Sequence, residues 1–593
     1  MNRAATLLCC LLLGACSSNE APPPAPQPDA ATRLELSTGA VEGFVDERGA
    51  HVWLGLPYAR PPVGPLRWRA PLPPRPALGV RDATRFGAAC PQIGSPLGGA
   101  PQDSYGELWG SEDCLFLNVY APARPRAGLP VLLWIHGGGN SAGHSGFYDG
   151  TPLVAAHDVL VVTVNYRLGP IGWLHHPALA GDSPDDASGN YGTLDLVRAL
   201  EWVREEIGAF GGDPDRVTVF GESAGASNIV SLLVSPRAEG LFRAAILQSG
   251  GTGSVSLAEA SHRVDVPEPG DPSSSGELLL RALRREEPAC DRACAVARAD
   301  ALSLDEQAAV FRSLSLPDLF RLFEGRSGIL GPDSPAVFRD GVVLPDRPFI
   351  EALGTPGAFH PVPVLLGTNR DEPKIFQAFD PRRVTRLAGL PLWAKDARLY
   401  DLRAEYGALA WRVRGVDDIA RRLHGAGVPV WSYRWDWDEE GRLLFVDLSR
   451  LLGAAHGLEI PFVFGHFDVG PQSPLLFDDR NAEGRLALSE RMMAYWVAFA
   501  RDLDPGTGAD GLGPRWAPVD PAAGASFVTL DTGAGGIHME SEVVTFEDFV
   551  ERLATDPRFD NSAERCDVFR SAVRFDGRPE QADAVDRLGC SAQ

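Results

Sequence analysis

Two stretches of the chain match the pattern G-x-S-x-G: Gly221-Glu222-Ser223-Ala224-Gly225 and Gly139-Asn140-Ser141-Ala142-Gly143. In that pattern a serine can act as a nucleophile. It sits on a strained strand-to-helix turn, too tight for side chains on the flanking residues. The pattern is short enough to arise by chance, so its context decides. Ser223 follows the strand-like run VTVF (217–220) and precedes the helix-like AGASNIVSLLV (224–234). Ser141 is followed by AGHSGFYDG, which reads as a loop. Ser223 is therefore the candidate nucleophile and Ser141 the decoy.

A serine hydroxyl needs a base, and the base needs a carboxylate to orient it. Where a nucleophile elbow is used, the chain order is serine, acid, histidine. The downstream histidines are His262, His360, His424, His456, His466 and His538. An acid is expected in a loop after a strand, and VPVLLGTNRDE (362–372) offers the adjacent pair Asp371 and Glu372. Spacing does not choose between those two, nor between His456 and His466. His136-Gly137-Gly138-Gly139 follows the apolar run PVLLWI. Glycines there let amide N–H groups point at an oxyanion, and Ala224 would add one more donor. The chemistry implied is acyl transfer to serine and then to water. No metal or organic cofactor is called for. His175-His176 lacks the H-E-x-x-H spacing, and Cys290-x3-Cys294 has no neighbouring ligands to complete a zinc set.

Such groups must be positioned by rigid elements. PVLLWI (130–135), VLVVTV (159–164), VTVF (217–220) and VPVLL (362–366) are short β-branched runs of the kind buried on both faces of a sheet. Residues 193–208 carry apolar residues at helical spacing and end at a glycine. Strands alternating with helices predict a mostly parallel sheet covered on both sides. Residues 253–335 and 376–430 break the rhythm and read as cap insertions. Residues 553–593 read as a C-terminal appendage.

The chain has 593 residues, 44% of them apolar, and a net charge of −23. So acidic a surface repels phosphate backbones, which argues against nucleic-acid partners. Arg3 and the apolar run over 4–15 fit a signal peptide at 1–15, too short to span a bilayer. Leu13-Gly14-Ala15-Cys16 resembles a bacterial lipobox, which would lipidate Cys16 and leave 16–32 as a Pro/Ala-rich tether. An ordinary signal peptide cut nearby is the plainer alternative. The expectation is an exported protein, either an outer-membrane lipoprotein held only by its anchor or a secreted one. Nine cysteines are present. Setting aside Cys9, Cys10 and Cys16 leaves Cys90, Cys114, Cys290, Cys294, Cys566 and Cys590, an even set suggesting three disulfides. Fifteen connectivities are possible; proximity favours 90–114, 290–294 and 566–590.

Several longer motifs resemble one family. FGGDPDRVTVFGESAGA (210–226), SEDCLFLNVY (111–120), LGLPYARPPVGPLRWRAP (54–71), NYRLGPIGWL (165–174) and AHGLEIPFVFG (455–465) are similar, in register, to the type B carboxylesterases, the cholinesterase-like branch of the α/β-hydrolases. The resemblance covers about residues 33–552. It implies the α/β-hydrolase fold, with a mostly parallel sheet, helices on both faces and helical cap insertions. It implies a serine carboxylesterase acting on small-molecule esters. Glu372 matches the glutamate of the family's D-E-G step, with Pro373 in place of the glycine. His456 matches the histidine of its H-G-x-E run, and Gly138, Gly139 and Ala224 match its oxyanion hole. Glu222 and Glu459 match acidic positions beside the triad. The resemblance also pairs Cys90 with Cys114, a loop closure of roughly 3 kcal/mol, and suggests ion pairs Arg67–Glu112 and Arg167–Asp195. Asn140 stands where an apolar or aromatic residue is frequent. The cholinesterase tryptophan is missing: Ser104 holds that position and Trp109 is out of register. The acyl-pocket phenylalanines are missing around 331–338. Phe376 and Trp435 are candidates to line the pocket, with packing in the core an equal alternative for each. Two alternatives remain: a lipase or polyester hydrolase with the same triad, and an inactive binding protein on the same fold, against which an intact Ser223, Glu372 and His456 argues.

Overall fold

The computed structural model describes residues 26–590 except 124–125, 324–326, 329–330, 333–334, 388–389, 444–445, 471, 521–526, 534 and 574–578. The proposed signal peptide, Cys16 and most of the tether lie outside the described residues. A turn over Ala30–Thr32 buries Thr32, whose carbonyl accepts the Trp53 indole N–H at 2.7 Å.

An eleven-stranded sheet forms the centre. Its strands are β1 (Phe44–Val45), β2 (His51–Pro57), β3 (Phe116–Ala121), β4 (Leu129–Ile135), β5 (Leu160–Val164), β6 (Gly212–Glu222), β7 (Ala244–Gln248), β8 (Val364–Asn369), β9 (Val430–Trp435), β10 (Phe527–Leu530) and β11 (Ile537–Glu540). The spatial order is β11-β10-β9-β8-β7-β6-β4-β5-β3-β2-β1. Pairing is parallel from β10 through to β5 and antiparallel at both flanks. Every residue of β4, β5, β7 and β8 is buried, as their unbroken apolar runs require. The alternation of β4 is visible in its neighbours. Val131, Leu133 and Ile135 join the core on one side of the sheet; Leu132 and Trp134 join the core on the other.

Helices α1 (Tyr191–Glu206) and α2 (Ala224–Val234) supply the first core. Between β7 and β8 the chain inserts α3 (Ser275–Glu286), α4 (Arg292–Ala301) and α5 (Leu304–Ser313), which share a separate apolar cluster with Trp68, Ile171 and Leu174. Between β8 and β9 it inserts α6 (Ala397–Arg412), which runs into a π-helical turn at Val413–Asp417. Helix α7 (Ala482–Asp502) contributes Met492, Met493 and Trp496 to the second core. Helices α8 (Phe546–Thr555) and α9 (Ser562–Ala572) pack on α6 through Leu402, Tyr406, Phe549, Val568 and Phe569.

The three disulfides are Cys90–Cys114, Cys290–Cys294 and Cys566–Cys590. Arg67 grips Glu112 with two bonds of 2.5 and 2.7 Å. Arg167 grips the wholly buried Asp195 of α1 with two bonds of 2.7 Å and spends a third N–H on the Arg69 carbonyl.

Strand β4 has β5 on one side and β6 on the other, so the chain leaves and re-enters the sheet in opposite directions there. At such a switch point the loops beyond the carboxyl ends of neighbouring strands part and leave a crevice. The loop from His136 and the turn at Ser223 both open into it.

The Arg167–Asp195 pair gives a stability prediction. Arg167→Met strands a carboxylate in the interior, which costs about 3–5 kcal/mol. Calorimetry should show a clear fall in Tm, and Arg167→Met/Asp195→Leu should recover most of it. A single variant as stable as the parent would contradict this account.

Candidate active site

Strand β6 ends at Glu222 and α2 begins at Ala224, leaving Ser223 alone on the turn at φ 56° and ψ −122°. A residue with a side chain is held in that conformation only by its surroundings. The flanking glycines make it possible. A Cβ on Gly221 would lie 2.6 Å from the Ile135 carbonyl oxygen, and one on Gly225 would overlap that same atom. The turn thus presses directly on the end of β4, while the Ser223 N–H donates to Gln248 O at 2.8 Å. Ser141 sits in the loop after β4, as its context suggests, and donates to Gly139 O at 3.1 Å.

That loop carries three successive residues with positive φ: Gly138 at 93°, Gly139 at 64° and Asn140 at 56°. A Cβ on Gly138 would overlap Ala142 O. The N–H groups of Gly138, Gly139 and Ala224 donate to no acceptor among the described residues. Successive amides freed in this way form an anion-binding concavity.

Of the two pairs that spacing leaves open, Glu372 and His456 are the members in contact. Glu372 Oε2 lies 2.5 Å from His456 Nδ1, and Glu372 Oε1 accepts the Asn369 N–H at 2.8 Å. Asp371 turns away to Arg370 and Lys374, at 2.8 and 3.1 Å, and accepts the Ala454 N–H at 3.2 Å. It fastens the acid loop to the histidine loop without touching the imidazole. His456, not His466, is the histidine on Glu372. Its Nε2 lies 3.1 Å from Glu222 Oε1, and no hydrogen bond joins it to Ser223 Oγ among the described residues.

Glu459 lies behind this group. It accepts from Asn369 Nδ2 at 2.7 Å and Gln248 Nε2 at 3.2 Å, and Gln248 Oε1 accepts the Trp496 indole N–H at 3.1 Å. Glu222, Glu372 and Glu459 are all buried. Burial pushes the Glu222 carboxyl up to about 8, opposed by His456 and reinforced by Glu459 and Glu372. Burial also lifts Glu459, with repulsion from Glu372. For His456 burial acts downward, but Glu222 and Glu372 outweigh it and hold the imidazole at about 9. With carboxylates and imidazole this close, the protons belong to the group rather than to single residues.

Comparison with known proteins agrees with this arrangement. The profile of the Carboxylesterase family matches residues 30–268. The para-nitrobenzyl esterase of Bacillus subtilis (strain 168) is 37% identical over 494 residues, covering 79% of this chain and 90% of that protein. The fumonisin B1 esterase of Sphingopyxis macrogoltabida is 36% identical over 501 residues, covering 81% and 83%. Among solved structures, a PNB esterase superposes with a TM-score of 0.60 at 31% identity, covering 86% of this chain and 96% of that one. A carboxylesterase of Geobacillus stearothermophilus gives 0.61 at 30% identity, covering 86% and 98%. The chain belongs to the carboxylesterase family. It is a carboxylic ester hydrolase with the α/β-hydrolase fold.

One wall of this carboxylesterase's site is aromatic. Trp411, at the end of α6, has its ring 4.7 Å from that of His456, and Phe376 lies at 5.4 Å. The Trp411 indole N–H is held by the carbonyls of Ser249 and Gly250, at 3.2 and 3.1 Å. Phe376 is therefore at the site. Trp435 is not: it is fully buried against Trp437 and Phe462, because as the last residue of β9 it turns into the second core. Trp109 stacks edge-on against His144. Pro373, which replaces the family's glycine, opens the short helix Lys374–Phe379 and is accommodated by Gly407 of α6, where a Cβ would lie 2.5 Å from its ring.

Trp411, Gln248 and Asn369 were not singled out from the sequence. Gln248 and Asn369 did carry a signal, since each is a polar residue closing an apolar strand at the carboxyl end of a parallel sheet. Trp411 carried none.

Gly225→Ala separates packing from propensity. Propensity alone would make it stabilising by roughly 1 kcal/mol. The overlap with Ile135 O predicts the opposite sign, a loss of about 3 kcal/mol or more in urea unfolding. A neutral or stabilising result would mean that the turn does not press on β4.

Proposed function

We propose that this carboxylesterase works through an acyl-enzyme on Ser223, with His456 as base, Glu372 as the orienting acid and the amides of Gly138, Gly139 and Ala224 as the oxyanion hole. The observation carrying this reading is the 2.5 Å contact between His456 Nδ1 and the buried Glu372, beside a serine on a strained turn. His456 Nε2 takes the Ser223 proton as Oγ attacks the ester carbonyl. The negative charge moves onto the carbonyl oxygen, toward the three free amides, each worth a few kcal/mol in the transition state. His456 then protonates the departing alcohol. Water, deprotonated by the same imidazole, releases the acid and restores the serine. In the resting arrangement Nε2 faces Glu222. For this step Nε2 must turn from Glu222 to Ser223 while Nδ1 keeps its bond to Glu372. Relatives named for para-nitrobenzyl, fumonisin B1 and cocaine esters, together with the wall of Trp411 and Phe376, support small-molecule esters with a bulky or aromatic portion as substrates.

The test is hydrolysis of p-nitrophenyl butyrate and longer acyl esters by the full chain, beside Ser223→Ala. The parent should turn over, and the variant should lose roughly 10⁴-fold or more in kcat. A folded parent inactive on every ester would overturn the reading in favour of a binding protein. A strong preference for long acyl chains would point to a lipase.

The base is useful only when deprotonated, and its carboxylate neighbours hold its pKa above the ordinary histidine value. The kcat/KM profile should therefore rise with pH through an apparent pKa above about 6.5. Glu222→Gln removes one of those negative charges, so the rising limb should move to lower pH. A limb that stays in place would exclude Glu222 as a tuning charge.

A further inference from the structure

The oxyanion hole proposed above is made from two separate pieces of chain. Gly138 and Gly139 come from the loop after β4, and Ala224 comes from the first position of α2. Their relative placement must be fixed by something other than the peptide bonds of either piece. One end of the loop is already clamped. Gln92, from the segment closed by Cys90–Cys114, accepts the Gly143 N–H at 2.8 Å and donates Nε2–H to the Gly143 carbonyl at 2.9 Å. The start of the loop is held by Tyr166, whose hydroxyl donates to His136 O at 2.7 Å and whose ring stacks on the His136 imidazole with centroids 4.5 Å apart. The middle, where the free amides are, has one side-chain link to the other piece. Asn140 Oδ1 accepts Nδ2–H of Asn228 at 2.9 Å.

Asn228 is one helical turn after Ala224 on α2 and is fully buried. Residues four apart share a helix face, so the bridge lands one turn from the end of α2 whose first amide is that of Ala224. Asn140 itself is held at φ 56°, where asparagine is among the better-tolerated residues with a side chain. Its carbonyl accepts the Gly169 N–H at 2.7 Å. The Tyr166 hydroxyl lies 3.3 Å from the same Oδ1.

We propose that Asn140 is a positioning residue: through Asn228 it sets the distance between the loop amides and the helix amide of the oxyanion hole. The proposal rests on the serine-hydrolase reading for its catalytic consequence, but not for the bridge itself. Truncation of Asn140 removes the acceptor of Asn228 Nδ2 and loosens the tie between loop and helix, while Ser223, His456 and Glu372 keep their places. The effect falls on the transition state, because the oxyanion exists only there.

The experiment uses the full chain with Asn140→Gly, which keeps the positive φ without strain, and Asn228→Leu, which removes the donor at similar size. For p-nitrophenyl butyrate each should lower kcat by about tenfold to a hundredfold with KM changed less than about twofold. Affinity for a trifluoromethyl ketone, whose adduct carries the oxyanion, should fall in parallel. The double variant should be no worse than the poorer single one, since both break one contact. Independently of activity, amide hydrogen exchange of residues 137–143 should quicken in Asn140→Gly, and Asn140→Asp, which keeps the acceptor, should restore protection. Unchanged exchange in Asn140→Gly, kcat within about twofold of the parent in both single variants, or losses that multiply in the double one would each overturn the proposal. If the parent hydrolyses no ester while exchange responds as expected, the bridge stands and the catalytic reading falls.

Discussion

Gly221 and Gly225 both lie against a single atom, the carbonyl oxygen of Ile135 at the end of the central strand. That contact brings the Ser223 turn and the loop from His136 together, because Ile135 is also the last residue before the loop begins. A side chain at either glycine would push the turn outward, and Ser223 would leave the crevice between β4 and β6. The rest of the structure supports this closeness. Two apolar cores hold β4 from opposite faces, α1 is locked by Arg167 and Asp195, and the Cys90–Cys114 segment clamps the far side of the loop.

The electrostatics depend on the same burial. Three carboxyl groups surround one imidazole, and the exits from strands β7 and β8 supply the neutral hydrogen-bond partners that make their burial tolerable. Three ionised carboxylates with a single cation would be costly in so dry a place. Glu222 and Glu459 lower that cost by holding their protons longer than exposed carboxyls would. The price is an imidazole that is reluctant to become a base at low pH.

Much of this was legible in the sequence where the signal is local. The strand, turn and helix around Ser223 were readable because adjacent residues encode them, and α2 spans the stretch AGASNIVSLLV as read. The nearest-neighbour disulfides were readable for the same reason. What spacing left open is what long-range packing decides. Asp371 and Glu372 are one residue apart, yet one faces the imidazole and the other Lys374, because β8 delivers them to opposite sides of the loop. His456 and His466 are separated only by where α7 and the acid loop hold the chain. For Trp435 the sequence leaves pocket and core open, and its position at the end of β9 commits it to the core. Trp411 was invisible because nothing in the run of α6 distinguishes one aromatic from another.

The C-terminal helices bear on the site in a way their distance from Ser223 conceals. They pack on α6 through an apolar cluster, and α6 is pinned to α9 by Arg398–Glu564 and Arg403–Asp567. The far end of that helix is Trp411. The C-terminal helices are thus a buttress behind the helix that carries Trp411, stapled in turn by Cys566–Cys590. An engineer trimming the tail as dispensable would be loosening, from behind, the aromatic ring that lies against His456.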